Sequence, residues 1–322
     1  MRRRHLLLAA PALALCGRAG AQGLATQGLA ARAFALPALP SGPLQALGAL
    51  ELDKAALGLG GLSGLHITDD LHLTAISDTG RWLTARLVLD ATLVPQGLTN
   101  LASGPLRDGA GAPLPRGYAG DAEALARMPD GTWLVAFERW HRIRAYRDIN
   151  GPGRFVEAPL DLAEAPGNGG LESMALLPDG RLLLIAESLA LEPGSPAKRA
   201  WLGRPGLEWV RLGYQAERGM LPCDAVALPE GGALVLERSF SWLGGFGGRI
   251  AHLTAQQLAA PAEESVLAGT EWLRMESPLP TDNYEALALF NHGGRRLLAV
   301  LSDDNQNVLQ RSLLLLFALR TT

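Results

Sequence analysis

Asp121-Ala122-Glu123-Ala124-Leu125-Ala126-Arg127-Met128-Pro129-Asp130-Gly131-Thr132-Trp133-Leu134-Val135-Ala136-Phe137-Glu138 is the stretch on which the fold turns. An acidic residue opens a short apolar run, Pro129-Asp130-Gly131 supplies a tight-turn signal, Thr132 to Phe137 reads as a strand, and Glu138 closes the unit. That is a β-hairpin. Four further copies share its phase: Leu62-Ser63-Gly64-Leu65, Gly170-Leu171-Glu172-Ser173-Met174, Cys223-Asp224-Ala225-Val226 and Asn283-Tyr284-Glu285-Ala286-Leu287 each open an apolar run. Turn signals follow at Asp69-Asp70, Pro178-Asp179-Gly180, Pro229-Glu230-Gly231 and Asn291-His292-Gly293-Gly294, and then the runs Leu71 to Ile76, Arg181 to Ala186, Ala233 to Leu236 and Arg296 to Leu301.

Counted from Ser63, Glu123, Glu172, Asp224 and Glu285, the repeats start 60, 49, 52 and 61 residues apart. Such spacing suits a propeller blade and is too long for a solenoid rung. The expected fold is therefore all-β, a β-propeller of five or six blades, the sixth to be sought between Asp78 and Asp121. The run Leu47 to Leu52 has no hairpin of its own and is expected to close the ring by joining the last blade. A two-sheet sandwich also has many short strands, but it does not predict one hairpin recurring in phase. Helical periodicity is confined to single turns at Asp161 to Ala165 and Thr254 to Ala260.

Around this core, residues 1–21 read as a signal peptide: Arg2-Arg3-Arg4, an apolar run from Leu6 to Cys16, and Ala19-Gly20-Ala21 ahead of the cut. The paired arginines resemble a twin-arginine signal, and export to the periplasm or medium is expected. A lipoprotein signal ending at Cys16 is the minority reading, because Leu15 is large. Residues 22–44, rich in Ala, Gly, Leu and Pro, read as an irregular lead-in, and 45–322 as one propeller domain. No later run is long and apolar enough to span a membrane. With 48% hydrophobic and 19% charged residues and a net charge of -3, the chain is globular and has no basic surplus for nucleic acid. Removal of Cys16 leaves Cys223 as a single thiol, read as a small buried residue.

Each repeat carries a second acid where its second strand ends: Asp78, Glu138, Glu187, Glu237 and Asp303. From the first marked residue of each repeat the spacings are 15, 15, 15, 13 and 18. In an antiparallel hairpin the start of one strand and the end of the next share an end. Glu123, Glu172, Asp224 and Glu285 are thus expected at one channel mouth, with Ser63 in the fifth place. Converging carboxylates must be protonated, paired with arginine or bound to a cation. Oxygen-only ligation, with Asn283 and Asn305 as neutral helpers and no His or Cys, suits Ca²⁺. The candidate metal set is Asp78, Glu123, Glu138, Glu172, Glu187, Asp224, Glu237, Glu285, Asp303 and Asp304. The competing reading pairs these acids locally with Arg81, Arg139 and Arg238.

Other constellations carry less chemistry. The histidines show no ligand spacing, and Gly61-Leu62-Ser63-Gly64-Leu65 lacks the helix that follows a nucleophile elbow. The loop Ser239-Phe240-Ser241-Trp242 and Gly244-Gly245-Phe246-Gly247-Gly248 has two readings, a close approach to a ligand or a wide connection between strands.

Taken in order, Gly61-Leu62-Ser63-Gly64-Leu65 with Ser77-Asp78, Asp121-Ala122-Glu123-Ala124 with Phe137-Glu138, Leu171-Glu172, Leu236-Glu237-Arg238, and Asn283-Tyr284-Glu285 with Ser302-Asp303-Asp304-Asn305 resemble the bacterial phytase-like family described by an esterase-like activity. The resemblance runs from about residue 60 to the C-terminus. It implies hydrolysis of phosphate or carboxylic esters of a small-molecule substrate at a calcium-bearing mouth. Glu123, Glu172 or Glu285 would assist water, and Arg238 would stabilise negative charge. The dense Lys/Arg set that a polyphosphorylated substrate calls for is missing. Two alternatives stay open: a non-catalytic propeller that binds a ligand or protein with structural calcium, and a lactonase-type propeller with a single metal.

Overall fold

The computed structural model describes residues 30–305 and 310–320, so the leader expected at residues 1–21 lies outside the described residues. Strands β1 (Ala31–Phe34) and β2 (Leu44–Leu52) come first. Blade 1 is β3 (Leu62–Ile67), β4 (His72–Ser77), β5 (Arg81–Leu89) and β6 (Pro95–Pro105). Blade 2 is β7 (Ala122–Arg127), β8 (Trp133–Phe137), β9 (Arg142–Tyr146) and β10 (Arg154–Val156). Blade 3 is β11 (Leu171–Leu176), β12 (Leu182–Ala190), β13 (Lys198–Gly203) and β14 (Trp209–Gln215).

Blade 4 comprises β15 (Leu221–Ala227), β16 (Ala233–Ser241), β17 (Gly245–Leu253) and, after β18 (Val266–Ala268) has paired in parallel with β14 of blade 3, β19 (Thr270–Met275). Blade 5 is β20 (Asn283–His292), β21 (Arg295–Asp303) and β22 (Leu313–Leu319), with β2 antiparallel to β22 and β1 outside β2. The described residues thus form five sheets. The interval between Asp78 and Asp121 holds the outer strands of blade 1 and not a sixth blade. Part of the stretch expected to be irregular, Ala31–Phe34, is a strand.

The hairpins close as their turn residues dictate. The Met128, Leu177 and Leu228 amides bond the Thr132, Arg181 and Gly232 carbonyls, and Gly131, Gly180 and Gly231 hold φ of 87°, 85° and 101°, where a β-carbon would be strained. The innermost strands form a closed circuit: β3 touches β7, β7 touches β11, β11 touches β15, β15 touches β20, and β20 returns to β3.

Between each pair of neighbouring blades lies one apolar layer, and the twofold alternation of a strand decides which layer a residue enters. Leu297, Ala299 and Leu301 pack toward blade 1, whereas Leu298 and Val300 pack toward blade 4. Both faces of β21 are therefore buried, which is why its sequence is a continuous apolar run. A fully buried leucine contributes roughly 1.5–3 kcal/mol, so these layers carry the stability of a chain whose described thiol, Cys223, is unbonded and buried. Among the described residues, helix is limited to the one-turn α1 (Lys54–Leu57) and α2 (Ala255–Ala259) and a 3-10 turn at Leu160–Glu164. No helix among the described residues is long and apolar enough to cross a membrane.

Candidate functional site

At the channel end of every blade the pairing of the first two strands slips by one residue. In blade 1 the ladder runs from Leu62–Ser77 to Gly64–Ile76 and leaves out Ser63. Glu123, Glu172, Cys223 and Glu285 are the residues left out in blades 2 to 5. Such a bulge removes a residue from the ladder and re-aims its side chain. One step past the same pair on the second strand stand Asp78, Glu138, Glu187, Arg238 and Asp303.

The repeat expected at Asp224 and Glu237 is therefore displaced by one: its structural equivalents are Cys223 and Arg238. The corrected spacing in blade 4 is fifteen residues, the same as in blades 1 to 3. Blade 5 keeps its longer spacing of 18 residues between Glu285 and Asp303.

These positions surround a cavity of about 250 Å³ lined by eight carboxylates, those of Asp78, Asp121, Glu123, Glu138, Glu172, Glu187, Glu285 and Asp303, together with Arg139 and Arg238. Seven of the ten expected metal-site acids line it, and Asp224, Glu237 and Asp304 do not. Asp224 is buried, accepting the amides of Ala225 (2.7 Å) and Leu287 (2.6 Å), and ties blade 4 to blade 5. Glu237 is fully buried against Arg249. Asp304 takes the Lys54 ammonium (2.9 Å) and the Ser312 hydroxyl (3.0 Å) beneath Gly60. Asp121, which opens its repeat, and Arg139, its pairing partner, also line the cavity.

The mouth divides electrostatically. On one side Arg238 reaches Glu285 (2.5 Å), Glu187 (2.9 Å), the Asn283 side-chain oxygen Oδ1 (2.9 Å) and, more distantly, Glu172 (3.6 Å). Asn283 donates in turn to Glu285 at 2.6 Å. On the other side Asp121, Glu123 and Glu138 each place an oxygen within 4.8 Å of the others. Glu138 is fixed there by the amides of Gly169 (2.6 Å) and Gly170 (2.5 Å), and Arg139 pairs with Asp121.

Burial, and then the charges of Glu172, Glu138, Asp121 and Glu285, push the Glu123 carboxyl well above its ordinary range. Burial does the same to Glu172, with Arg238 opposing it, and lifts Glu138 against the pull of its two amides. Glu285 is pushed up to about 7 by burial, opposed by Arg238, and Asp303 to about 8 by burial and then by Glu285 and Asp78. Two buried oxygens, Glu172 Oε2 and Asp303 Oδ1, make no hydrogen bond. Carboxylates so crowded, raised and underbonded form a site whose charge is incomplete without a proton or a cation.

Gly61 positions Asp78. Its φ is +69°, and a β-carbon there would fall 1.9 Å from Asp78 Oδ1. Gly61→Ala is expected to expel the Asp78 carboxylate from the mouth and to cost about 1–3 kcal/mol in backbone strain, read as a lower thermal midpoint. An unchanged midpoint would show that the backbone relaxes freely.

A sequence model of the phytase-like family, described as esterase-like activity of phytase, matches residues 57–306. Among curated proteins no relative matches. Solved structures resemble the chain at low identity. The PQQ-bound aldose sugar dehydrogenase of Streptomyces coelicolor is 13% identical, with a TM-score of 0.46 over 88% of this chain and 100% of its own. The gluconolactonase XC5397 of Xanthomonas campestris is 15% identical, with a TM-score of 0.44 over 88% of this chain and 97% of its own.

Proposed function

The chain belongs to the phytase-like family, and on that premise we propose that it is an exported, calcium-dependent hydrolase of ester or phosphoester bonds, acting at the acid-lined mouth. The observation that carries the reading is the Asp121, Glu123 and Glu138 triad, whose oxygens lie within 4.8 Å of one another beside an Arg238 already committed to the opposite acids. The donor set fits the ion. Oxygens that bind one Ca²⁺ at about 2.3–2.6 Å lie up to roughly 5 Å apart, and calcium takes six to eight oxygens where zinc would want nitrogen or sulfur. Glu172 Oε2 and Asp303 Oδ1 are further oxygens without a hydrogen bond.

When bound, calcium supplies Lewis-acid polarisation and charge neutralisation. The chain's own residues do the rest. Glu285, pushed up to about 7, is able to hold or release a proton near neutrality, as a general acid or base must, and burial raises the neighbouring Glu172 carboxyl well above its ordinary range. Arg238, braced by three carboxylates, sets a fixed positive charge beside the position where negative charge develops. The bulges of blades 3 and 5 aim Glu172 and Glu285 inward from rigid strands, and Arg238 comes from the second strand of blade 4.

The test is to strip the purified chain with chelator and assay 4-nitrophenyl phosphate and 4-nitrophenyl acetate with and without added Ca²⁺. Turnover that needs calcium and disappears in Glu123→Gln is expected. Glu123→Gln should also make the calcium-free protein more stable, by about 1–2 kcal/mol, because it removes one of several repelling buried carboxylates. No turnover of either ester, with calcium still raising the melting temperature, would favour a ligand-binding propeller with structural calcium.

A further inference from the structure

The hairpin joining β16 to β17 continues past the mouth. Arg238 pairs with Gly248, and the ladder then adds Ser239–Gly247, Phe240–Phe246 and Ser241–Gly245. Three residues of strand carry it roughly 10 Å beyond the guanidinium's backbone. Alternation along β16 sends Leu234 and Leu236 toward blade 5 and Val235 toward blade 3, so Arg238 and Phe240 share the blade 5 side. Phe240 stacks near Phe246 (4.8 Å between centroids) and Trp242 (5.7 Å). Yet this cluster is left in water: Phe240 is 55% and Trp242 94% exposed, and Leu243 beside them is fully exposed.

Large apolar side chains gathered without a folded partner mark a binding surface. Here the surface stands on the strand that lines the mouth, which carries Arg238 inside the cavity and Phe240 two residues beyond it. Resting on the hydrolase reading, we propose that the Phe240–Trp242–Phe246 face is the subsite for the apolar portion of the substrate. The substrate class is then an ester with an acyl chain or aryl group that lies on the hairpin while its ester end enters the mouth. Charge argues the same way. Both guanidiniums of the cavity are held by carboxylates, so a polyphosphorylated polyol would meet eight acids and no unpaired arginine there. The acids beside the hairpin equally disfavour an anionic bilayer.

The test measures kcat/KM of the calcium-loaded full chain on 4-nitrophenyl acetate, butyrate and octanoate, against the variants F240S/W242S and W242S/L243S. Trp242 and Leu243 are so exposed that the second variant retains its fold even if the first does not. The octanoate-to-acetate ratio of the native chain is expected to be at least tenfold greater than that of either variant. Equal ratios would overturn the proposal.

If the native chain turns over no ester, the hydrolase reading fails by itself. The subsite is then tested by binding of octylphosphonate against ethylphosphonate, followed by isothermal titration calorimetry. A chain-length preference lost in the variants upholds it, and none overturns it. Binding to phosphatidylcholine vesicles that depends on Trp242, without any chain-length preference, overturns it in favour of a membrane surface.

Discussion

Arg238→Met is expected to cost roughly 3–5 kcal/mol of calcium-free stability at pH 8 and much less at pH 5. Arg238 holds Glu285 and Glu187 directly and Glu172 at 3.6 Å, all from one partly buried guanidinium. Removing it leaves three acids in a low-dielectric site without their cation. The sign of the pH effect follows from their titration. Glu285 is pushed up to about 7 and Asp303 to about 8, both above the range of an unfolded chain. Stability from such groups is fully present below about pH 4.5 and is lost as pH rises through 7 and 8.

The calcium-free native protein should therefore weaken across that window. The variant, having lost the charge that opposes burial at Glu172 and Glu285, should weaken more. At the proposed calcium site the ion would be taken up by ionised acids, so the stability that added calcium confers is expected to grow with pH in both proteins and to be larger in the variant. Urea midpoints at pH 5 and 8, with chelator and with calcium, check this. Equal losses at both pH values would mean that Arg238 acts by packing alone.

The propeller was legible because its turns are punctuated chemically. Pro129-Asp130-Gly131, Pro178-Asp179-Gly180 and Pro229-Glu230-Gly231 fix hairpins in phase, and alternation then assigns each strand residue to one of two apolar layers. The site was legible only as far as register was. A bulge adds a residue to one strand and not to its partner, so counting from the strand start shifts the outcome by one. In blade 4 that shift exchanged Cys223 and Arg238 for Asp224 and Glu237, two acids that look alike in sequence but face protein.

Asp303 and Asp304 pose the same problem at adjacent positions. A strand sends neighbours to opposite sides, one into the mouth and the other to Lys54 and Ser312. The strand Ala31–Phe34 carries no turn signal or acid of its own, and it is defined by its long-range pairing with β2, which local sequence does not encode.

Glu237→Gln is expected to remove roughly 3 kcal/mol of stability and to leave calcium affinity within about twofold, the reverse of what Glu123→Gln should do. Glu237 is fully buried. Both its oxygens take Arg249 Nη1 at 2.9 Å, the Tyr214 hydroxyl donates to it at 2.6 Å, and the Glu217 amide at 3.0 Å. Glutamine keeps the shape but not the charge, and its amide places two N–H groups where Arg249 and Tyr214 already donate. Arg249 would keep the Gly269 carbonyl at 2.8 Å, and of carboxylates only Glu217 and Glu271, each at 3.5 Å, to balance a largely buried guanidinium.

The two substitutions differ in kind because the two environments differ in sign. Glu237 is surrounded by donors and a cation, so its charge stabilises the fold. Glu123 is surrounded by other acids, so burial and their charges disfavour its ionised form. Urea denaturation and calorimetric calcium titration of both variants separate these cases. A Glu237→Gln protein that stayed stable but lost calcium would return that carboxylate to the mouth and undo the register on which the site is built.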